Sequence, residues 1–324
     1  MDNKVDINIT ELSKQKNNKY KSSQLVLQLS GKNVNSILVN TLRRGSLLLV
    51  PTYGFCRESI LIEKNTSIFD NDYMRLRLSQ LTIPNLKYDT FNLPNKYWKN
   101  INYGDLTREK DPRDKKKIEL YINITNNSNE LLNVTTDHIK IYEDGVELKD
   151  HFKHIAPILI VPLRPSQSFI CRCVGVLGIG KVNDTWASCS NCFYEELDEH
   201  KYNLTLESQG QLEEYEILRR ICKLLIEKIE DLSHIIKEKY SKNTDDNTLY
   251  IKLENEDHTL GNFINDILQD LDNVEFSGIS KPDLLVDEVT IKLISTKNNP
   301  VDAVLVAFNK AKNILVKMLS LLPK

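Results

Sequence analysis

Between Asn33 and Pro51 the chain reads NVNSILVNTLRRGSLLLVP. Its apolar residues Val34, Ile37, Leu38, Leu42, Leu47 and Leu48 step mostly by three or four, which places them on one side of a helix. Pro51 stops that helix, because proline pushes the residue before it into extended backbone. The other side carries the pair Arg43-Arg44. Far along the chain, Glu256-Asp257-His258-Thr259-Leu260-Gly261-Asn262 opens a second helix of the same kind. It continues with Phe263, Ile264, Ile267, Leu268 and Leu271 on one face. Two similar helices, each after a strand, in the two halves of one chain are the strongest functional clue in the sequence.

Outward from the first helix, 5–10 (VDINIT) and 24–30 (QLVLQLS) read as strands separated by the polar stretch Lys14–Ser23. After Pro51 come a strand at Ser59–Glu63, a turn at Asn65-Thr66-Ser67 and a short helix from Asp70. Residues 85–117 are polar, aromatic and charged, end in the run Arg108–Lys117, and read as a boundary loop. Short strands at Ile118–Ile124, His138–Tyr142, Ile158–Val161 and Ser168–Val174 predict a β-rich inserted domain over 85–199. A strand at 201–207 precedes a long helix over about 212–240. Leu218, Ile221, Leu225, Leu232 and Ile235 recur in it at heptad-like spacing, and Ile229 and Ile236 widen the stripe. A stripe that broad packs on another helix.

Residues 241–248 (SKNTDDNT) lack periodicity and read as a linker. The last segment, 249–324, holds a strand at Leu249–Leu253, the second motif helix, strands at Val274–Phe276 and Glu288–Ile294, and a final helix. That helix starts at Asn299-Pro300 and carries Ile314, Leu315 and Met318 on one side.

A chain of 324 residues is too long for one ordinary core, so two domains are expected. No apolar run is long enough to predict a membrane-spanning helix, and Met1-Asp2-Asn3-Lys4 has no apolar core behind it to make a secretory leader. The six cysteines are therefore expected as reduced thiols. A net charge of −2 argues against nucleic acid as the primary ligand, because phosphate contacts favour a basic excess.

Three patterns invite a chemical reading. Gly175 to Lys181 fits Gly-x-x-x-x-Gly-Lys, the start of a phosphate-binding loop. Val182 stands where a Mg²⁺-binding Ser or Thr is needed, and a turn follows where a helix should start. The alternative is a Gly-rich loop between β segments. Cys189 and Cys192 have the spacing of half a zinc site. Cys171 and Cys173, alternating on a strand, could complete it if strand and loop met in space. Arg43-Arg44 is either a solvated face or a docking face for a carboxylate- or carbonyl-rich partner.

The run Asn40-Thr41-Leu42-Arg43-Arg44, followed by Val50-Pro51, Asn65-Thr66-Ser67, Arg75-Leu76 and Ile83-Pro84, resembles the signature of the alpha-type assembly subunits of DNA-directed RNA polymerase. That family includes the bacterial alpha subunit, the archaeal D subunit and the third subunit of eukaryotic RNA polymerase II. The likeness continues through Val134–His138, Gly178-Ile179-Gly180-Lys181, Trp186 and Glu207–Gly210. Glu256–Asn262, Phe276-Ser277-Gly278 and Pro282-Asp283-Leu284 resemble instead the archaeal L subunit and the eleventh subunit of polymerase II. The two look fused here, as in some large DNA viruses. Asn265 departs from the family, which commonly has a basic residue there. No cysteine lies in 85–117, so the metal site that some relatives carry in the insert is not expected.

The resemblance implies an α+β fold. Residues 1–84 plus 200–240 would form one alpha-like dimerisation module and 249–324 the other, joined as an intrachain pseudo-heterodimer with the β-rich domain inserted in the first. Leu218, Ile221, Leu225, Leu232, Ile314, Leu315 and Met318 would form the intrachain dimerisation contact. Asn40, Leu42, Arg43, Arg44, Asp257, His258, Leu260, Gly261 and Asn262 would dock the two large catalytic subunits, with Asp257 and His258 also suited to a helix cap. Small polymerase subunits of the tenth- and twelfth-subunit type are further expected partners, and DNA is met only through the complex. The resemblance implies no catalytic residue and no cofactor in this chain. It implies the cytoplasm of an infected cell or the virion if the protein is viral, and the nucleus if it is cellular. The rival readings are a stand-alone NTP-binding enzyme using Gly175–Lys181 and a zinc-dependent nucleic-acid-binding module.

Overall fold

In the computed structural model the described residues are 5–17, 22–83, 86–99, 101–105, 107, 109–149, 156–240, 247–283, 285–296 and 299–323. The chain opens with β1 (Asn8–Asn17), β2 (Ser22–Ser30) and the Arg-pair helix α1 (Ser36–Leu48). Then come β3 (Pro51–Gly54), β4 (Ile60–Asn65), α2 (Asn71–Ser79) and α3 (Asn95–Lys99). Six strands follow: β5 (Ile118–Thr125), β6 (Leu132–Thr135), β7 (Lys140–Glu143), β8 (Val146–Glu147), β9 (Leu159–Leu163) and β10 (Ser168–Ile179). β11 (Cys189–Asp198) and β12 (Lys201–Ser208) lead into the long helix α4 (Glu214–Tyr240). The last segment is β13 (Thr248–Glu254), α5 (His258–Gln269), β14 (Val274–Ser280), β15 (Glu288–Ser295) and α6 (Pro300–Leu321).

Strand order exposes an internal pseudo-symmetry. The first sheet runs β1-β2-β12-β11 and the last runs β13-β15-β14. The β2-β12-β11 part maps onto β13-β15-β14: in each, a strand leads to a helix, then a strand pair leads to a long helix. Alternation makes each sheet one-sided. Leu25, Leu27 and Leu29 point inward from β2, as do Leu249, Ile251 and Leu253 from β13. α1 and α4 cover the first sheet, and α5 and α6 cover the last. The two helical layers then bury their remaining apolar faces on each other, α1 on α5 and α4 on α6. One large hydrophobic core results, running from sheet to sheet, with a small separate cluster of Cys56, Val176 and Trp186. This is the expected α+β pseudo-heterodimer within one chain. The helix–helix contact holds Leu218, Ile221, Leu225, Ile314, Leu315 and Met318 buried, with Leu232 half-buried.

Several boundaries differ from the expectations. The second sheet, in order β3-β10-β5-β7-β8 with β4 also on β10, takes strands from within 1–84 as well as from the insert. β11 lies inside the predicted 85–199 insert but pairs with β12 in the first module's sheet. Strand partners, not sequence position, assign a strand to its module. Residues 85–117 are not a bare loop. Leu86, Tyr88, Leu93 and Trp98 are buried, and the buried Arg220 of α4 donates to the carbonyls of Tyr88 and Thr90. Its guanidinium also lies 4.2 Å over the Tyr88 ring. β1 extends through Lys14 to Asn17, because pairing with β2 continues beyond its apolar part. Ile235, expected on the helix stripe, is 52% exposed, while its neighbour Ile236 is buried, so the buried stripe runs through Ile236 and Ile235 faces away from it. Of the predicted linker 241–248, residues 241–246 lie outside the described residues.

Candidate docking surface and the seam between modules

The α1 helix starts on Asn35, whose side-chain oxygen caps the Leu38 N–H at 2.9 Å. The same side chain donates from Nδ2 to Asp266 of α5 at 2.7 Å, so the cap also tethers the other module. One turn on, Thr41 Oγ1 is bonded to the Ile37 carbonyl at 2.8 Å and reaches the Thr259 carbonyl at 3.4 Å. Arg44 donates from Nε to Thr259 Oγ1 at 2.9 Å and pairs with Asp257 at 3.3 Å. Gly45 leaves no room for a Cβ against the Ile221 side chain, so α1 approaches α4 at backbone distance.

The α5 helix is built the same way. Asp257 is its N-cap and accepts from the Thr259 N–H at 2.8 Å. Burial pushes the Asp257 carboxyl up. The Thr259 backbone and hydroxyl, with Lys181 and Arg44, outweigh that and hold it below the usual carboxylate range. Gly261 packs without a Cβ under Ile279 and Val289.

These contacts divide the expected docking residues into three groups. Leu42 and Leu260 are 1% and 2% exposed, and Gly261 is buried, so they pack inside the two modules. Arg44 and Asp257 are paired with each other across the seam. The Arg44 side chain, still 36% exposed, is thus engaged across the seam, and the two motif helices also face each other. Asn40, Arg43, His258 and Asn262 remain toward solvent, half-buried or exposed. Arg43 donates to Asn40 at 3.0 Å. Asn265 is buried and accepts from Ser277 at 2.7 Å.

Sequence reasoning missed the polar centre of the seam. Lys228 of α4 bonds Glu256 at 2.8 Å and Asn95 Oδ1 at 3.1 Å. Asn95 Nδ2 in turn donates to Glu256 at 2.9 Å and to the Asn255 carbonyl. α4, the start of α3 and the second module meet there. A charged residue inside an apolar stripe, as Lys228 is, was the available signal.

The rival chemistries are not assembled. Gly175 and Gly178 lie within β10, not in a loop, and the Trp186 ring occupies the space over Gly178. Gly180 sits against the Leu47 carbonyl, the Lys181 N–H donates to Leu48, and the Lys181 ammonium pairs with Asp287 at 3.3 Å. The string is a strand end that packs α1. Cys171 and Cys173 lie on β10 and Cys189 and Cys192 on β11, in different sheets. Among the described residues no three His, Cys, Asp or Glu side chains come together to hold a metal. Burial pushes the Cys189 thiol up to about 12, the behaviour of a packed, unreactive thiol.

Fold and seam together define an alpha-type dimerisation platform with both of its modules in one chain. The RNA polymerase Rpb3/Rpb11 dimerisation domain matches residues 248–320, the second module. A protein provisionally named DNA-directed RNA polymerase subunit R470, from Acanthamoeba polyphaga mimivirus, is 31% identical over 291 residues, 83% of this chain and 81% of its own. The DNA-directed RNA polymerase subunit Rpo3 of Methanocaldococcus jannaschii is 24% identical over 194 residues, 59% of this chain and 80% of its own. The chain belongs to the Rpb3/Rpb11 family of DNA-directed RNA polymerase subunits.

Proposed function

We propose that this chain is the assembly platform on which the two large catalytic subunits of a multisubunit RNA polymerase are placed, with RNA synthesis carried by those partners. The observation that carries this reading is the closed seam. α1 meets α5, α4 meets α6, and the contact that relatives make between two chains is made here within one. α4 ends at Tyr240 and β13 starts at Thr248, so the two modules are tethered at short range in the chain. Tethering at that range gives an effective concentration on the order of mM. Compared with free subunits near μM, pairing gains about 4 kcal/mol. Fusion therefore supplies a preformed platform at low copy number.

On this reading Arg43 with Asn40 forms one docking edge, and His258 with Asn262 forms the matching edge across the pseudo-twofold. Small subunits of the tenth- and twelfth-subunit type bind the same assembly. The viral relative favours the infected-cell cytoplasm or the virion as the place of work. Affinity purification of the tagged chain should recover two large polymerase subunits, and their reproducible absence would sink the proposal. Arg43→Ala should reduce that recovery while the isolated chain stays folded. Arg44→Ala should lower the stability of the chain itself.

A further inference from the structure

The pseudo-twofold that relates α1 to α5 gives the seam two corresponding ends. Asn35 caps α1 and Asp257 caps α5, and the ninth residue after each cap reaches across to the other cap. Arg44 pairs with Asp257, and Asp266 accepts from Asn35. At the α5-cap end the crevice against α4 is filled. Asn95, the first residue of α3, enters it, and only about 20 Å³ remains. At the α1-cap end the corresponding crevice, against α6, has an open volume of about 510 Å³. The second module runs from α5 straight into β14, so it has no inserted segment to supply a counterpart of Asn95.

The open crevice has an apolar floor and a charge-balanced rim. Leu38, Phe263, Ile267 and Ile314 form the floor. Its titratable lining residues are Asp6, Lys32, His200, Asp266, Asp270 and Lys310. The Asp6 carboxylate accepts from the Lys32 N–H at 3.1 Å, and the His200 ring bonds the Val34 carbonyl at 3.0 Å. Two carboxylates, Asp266 and Asp270, then face two ammonium groups, Lys32 and Lys310, and among the described residues none of the four makes an ion pair. Asp266 and Lys310 are half-buried, and the bond to the Asp266 carboxylate comes from the neutral Asn35.

The filled end shows which chemistry suits such a rim. Asn95 Nδ2 donates to Glu256 at 2.9 Å while Asn95 Oδ1 accepts from Lys228 at 3.1 Å. One uncharged amide thus serves a carboxylate and an ammonium at once. In the open crevice a cationic segment would be repelled by the two lysines and an anionic one by the two aspartates.

We propose that the open crevice docks an uncharged, largely apolar segment of a partner polypeptide that carries an asparagine or glutamine side chain. Its amide would donate to Asp266 and accept from Lys310, and its apolar neighbours would lie on Phe263 and Ile314. A polypeptide segment is the occupant because that is what fills the corresponding end of the seam.

The test uses the full chain, ¹³C-labelled at its isoleucine δ1-methyl groups and titrated with a blocked hexapeptide of alternating leucine and asparagine. Control peptides carry glutamate or lysine in place of asparagine. The asparagine peptide should shift the Ile267 and Ile314 methyl resonances saturably, and each charged peptide should bind roughly tenfold more weakly. Asn313 is exposed in the crevice wall, so Asn313→Trp should block binding and melt at the wild-type temperature. Val5 also lines the crevice, and deletion of residues 2–4 before it should leave the affinity unchanged. Binding that appears only after that deletion would assign the crevice to the chain itself. That result, absence of saturable shifts, tighter binding of either charged peptide, or unchanged affinity in folded Asn313→Trp would each overturn the proposal. The titration needs no large subunit, so its outcome is independent of the assembly reading.

Discussion

Glu256→Ala is the most informative single change at the seam. Glu256 and Lys228 belong to different modules, lie 2.8 Å apart, and have side chains only 12% and 10% exposed. Removing the carboxylate leaves the Lys228 ammonium in a nearly dry site with Asn95 Oδ1 as its remaining bonded partner. Breaking one half of a buried pair costs about 3–5 kcal/mol, and the slight exposure here puts the expected loss near the lower end, about 3 kcal/mol. For a chain of this size that is roughly 5 °C in Tm. Lys228→Met/Glu256→Met removes both charges and keeps the volume. Its expected cost is about 1 kcal/mol, mostly from the orphaned Asn95 amide. With Glu256→Met and Lys228→Met as the two single corners, and the Glu256 change costing about 3 kcal/mol, the coupling in the double-mutant cycle should be at least about 2 kcal/mol. Urea unfolding followed by circular dichroism measures all four corners of the cycle. Repetition in 1 M NaCl should leave the Glu256→Ala loss nearly intact, because buried pairs are weakly screened. A single-mutant loss below about 0.5 kcal/mol, or an additive double mutant, would show that the ion pair does not hold the modules together.

Other contacts give narrower expectations. Gly45→Ala should cost about 1–3 kcal/mol by pushing on Ile221, and Ile221→Val in the same chain should recover part of it, as thermal melts would show. Asp257→Asn keeps a capping oxygen and should be mild, whereas Asp257→Ala loses cap and ion pair together and should cost about 1–2 kcal/mol in urea unfolding. Burial, together with the nearby Asp270, pushes the Asp266 carboxyl up despite its bond from Asn35. Its charged form therefore weakens the fold at pH above its raised pKa, and the penalty fades as pH falls through that value to the ordinary Asp range. Asp266→Asn should accordingly raise the urea midpoint at pH 7, with the gain shrinking toward pH 4.

Residues that act within one element were legible in the sequence. The α1 stripe, the long α4 helix, the Asp257 cap and the strands of the last module all follow from periodicity and end signals. The sequence also carried the family resemblance, through motifs such as Asn40–Arg44 and Glu256–Asn262, and hence the polymerase assembly role. Relations between distant segments were not legible. Nothing in periodicity says that β11 joins β12, that β3 and β4 cross to β10, or that Asn35 meets Asp266. The same limit explains the Arg pair. Amphipathicity put Arg43 and Arg44 together on the polar side of one helix, about 100° apart. Only the packing of α5 on α1 turned Arg44 onto Asp257 and Thr259 and left Arg43 toward solvent. A helix stripe records which side is apolar. Which polar residue finds a partner depends on where a second element, more than two hundred residues away in this chain, comes to rest.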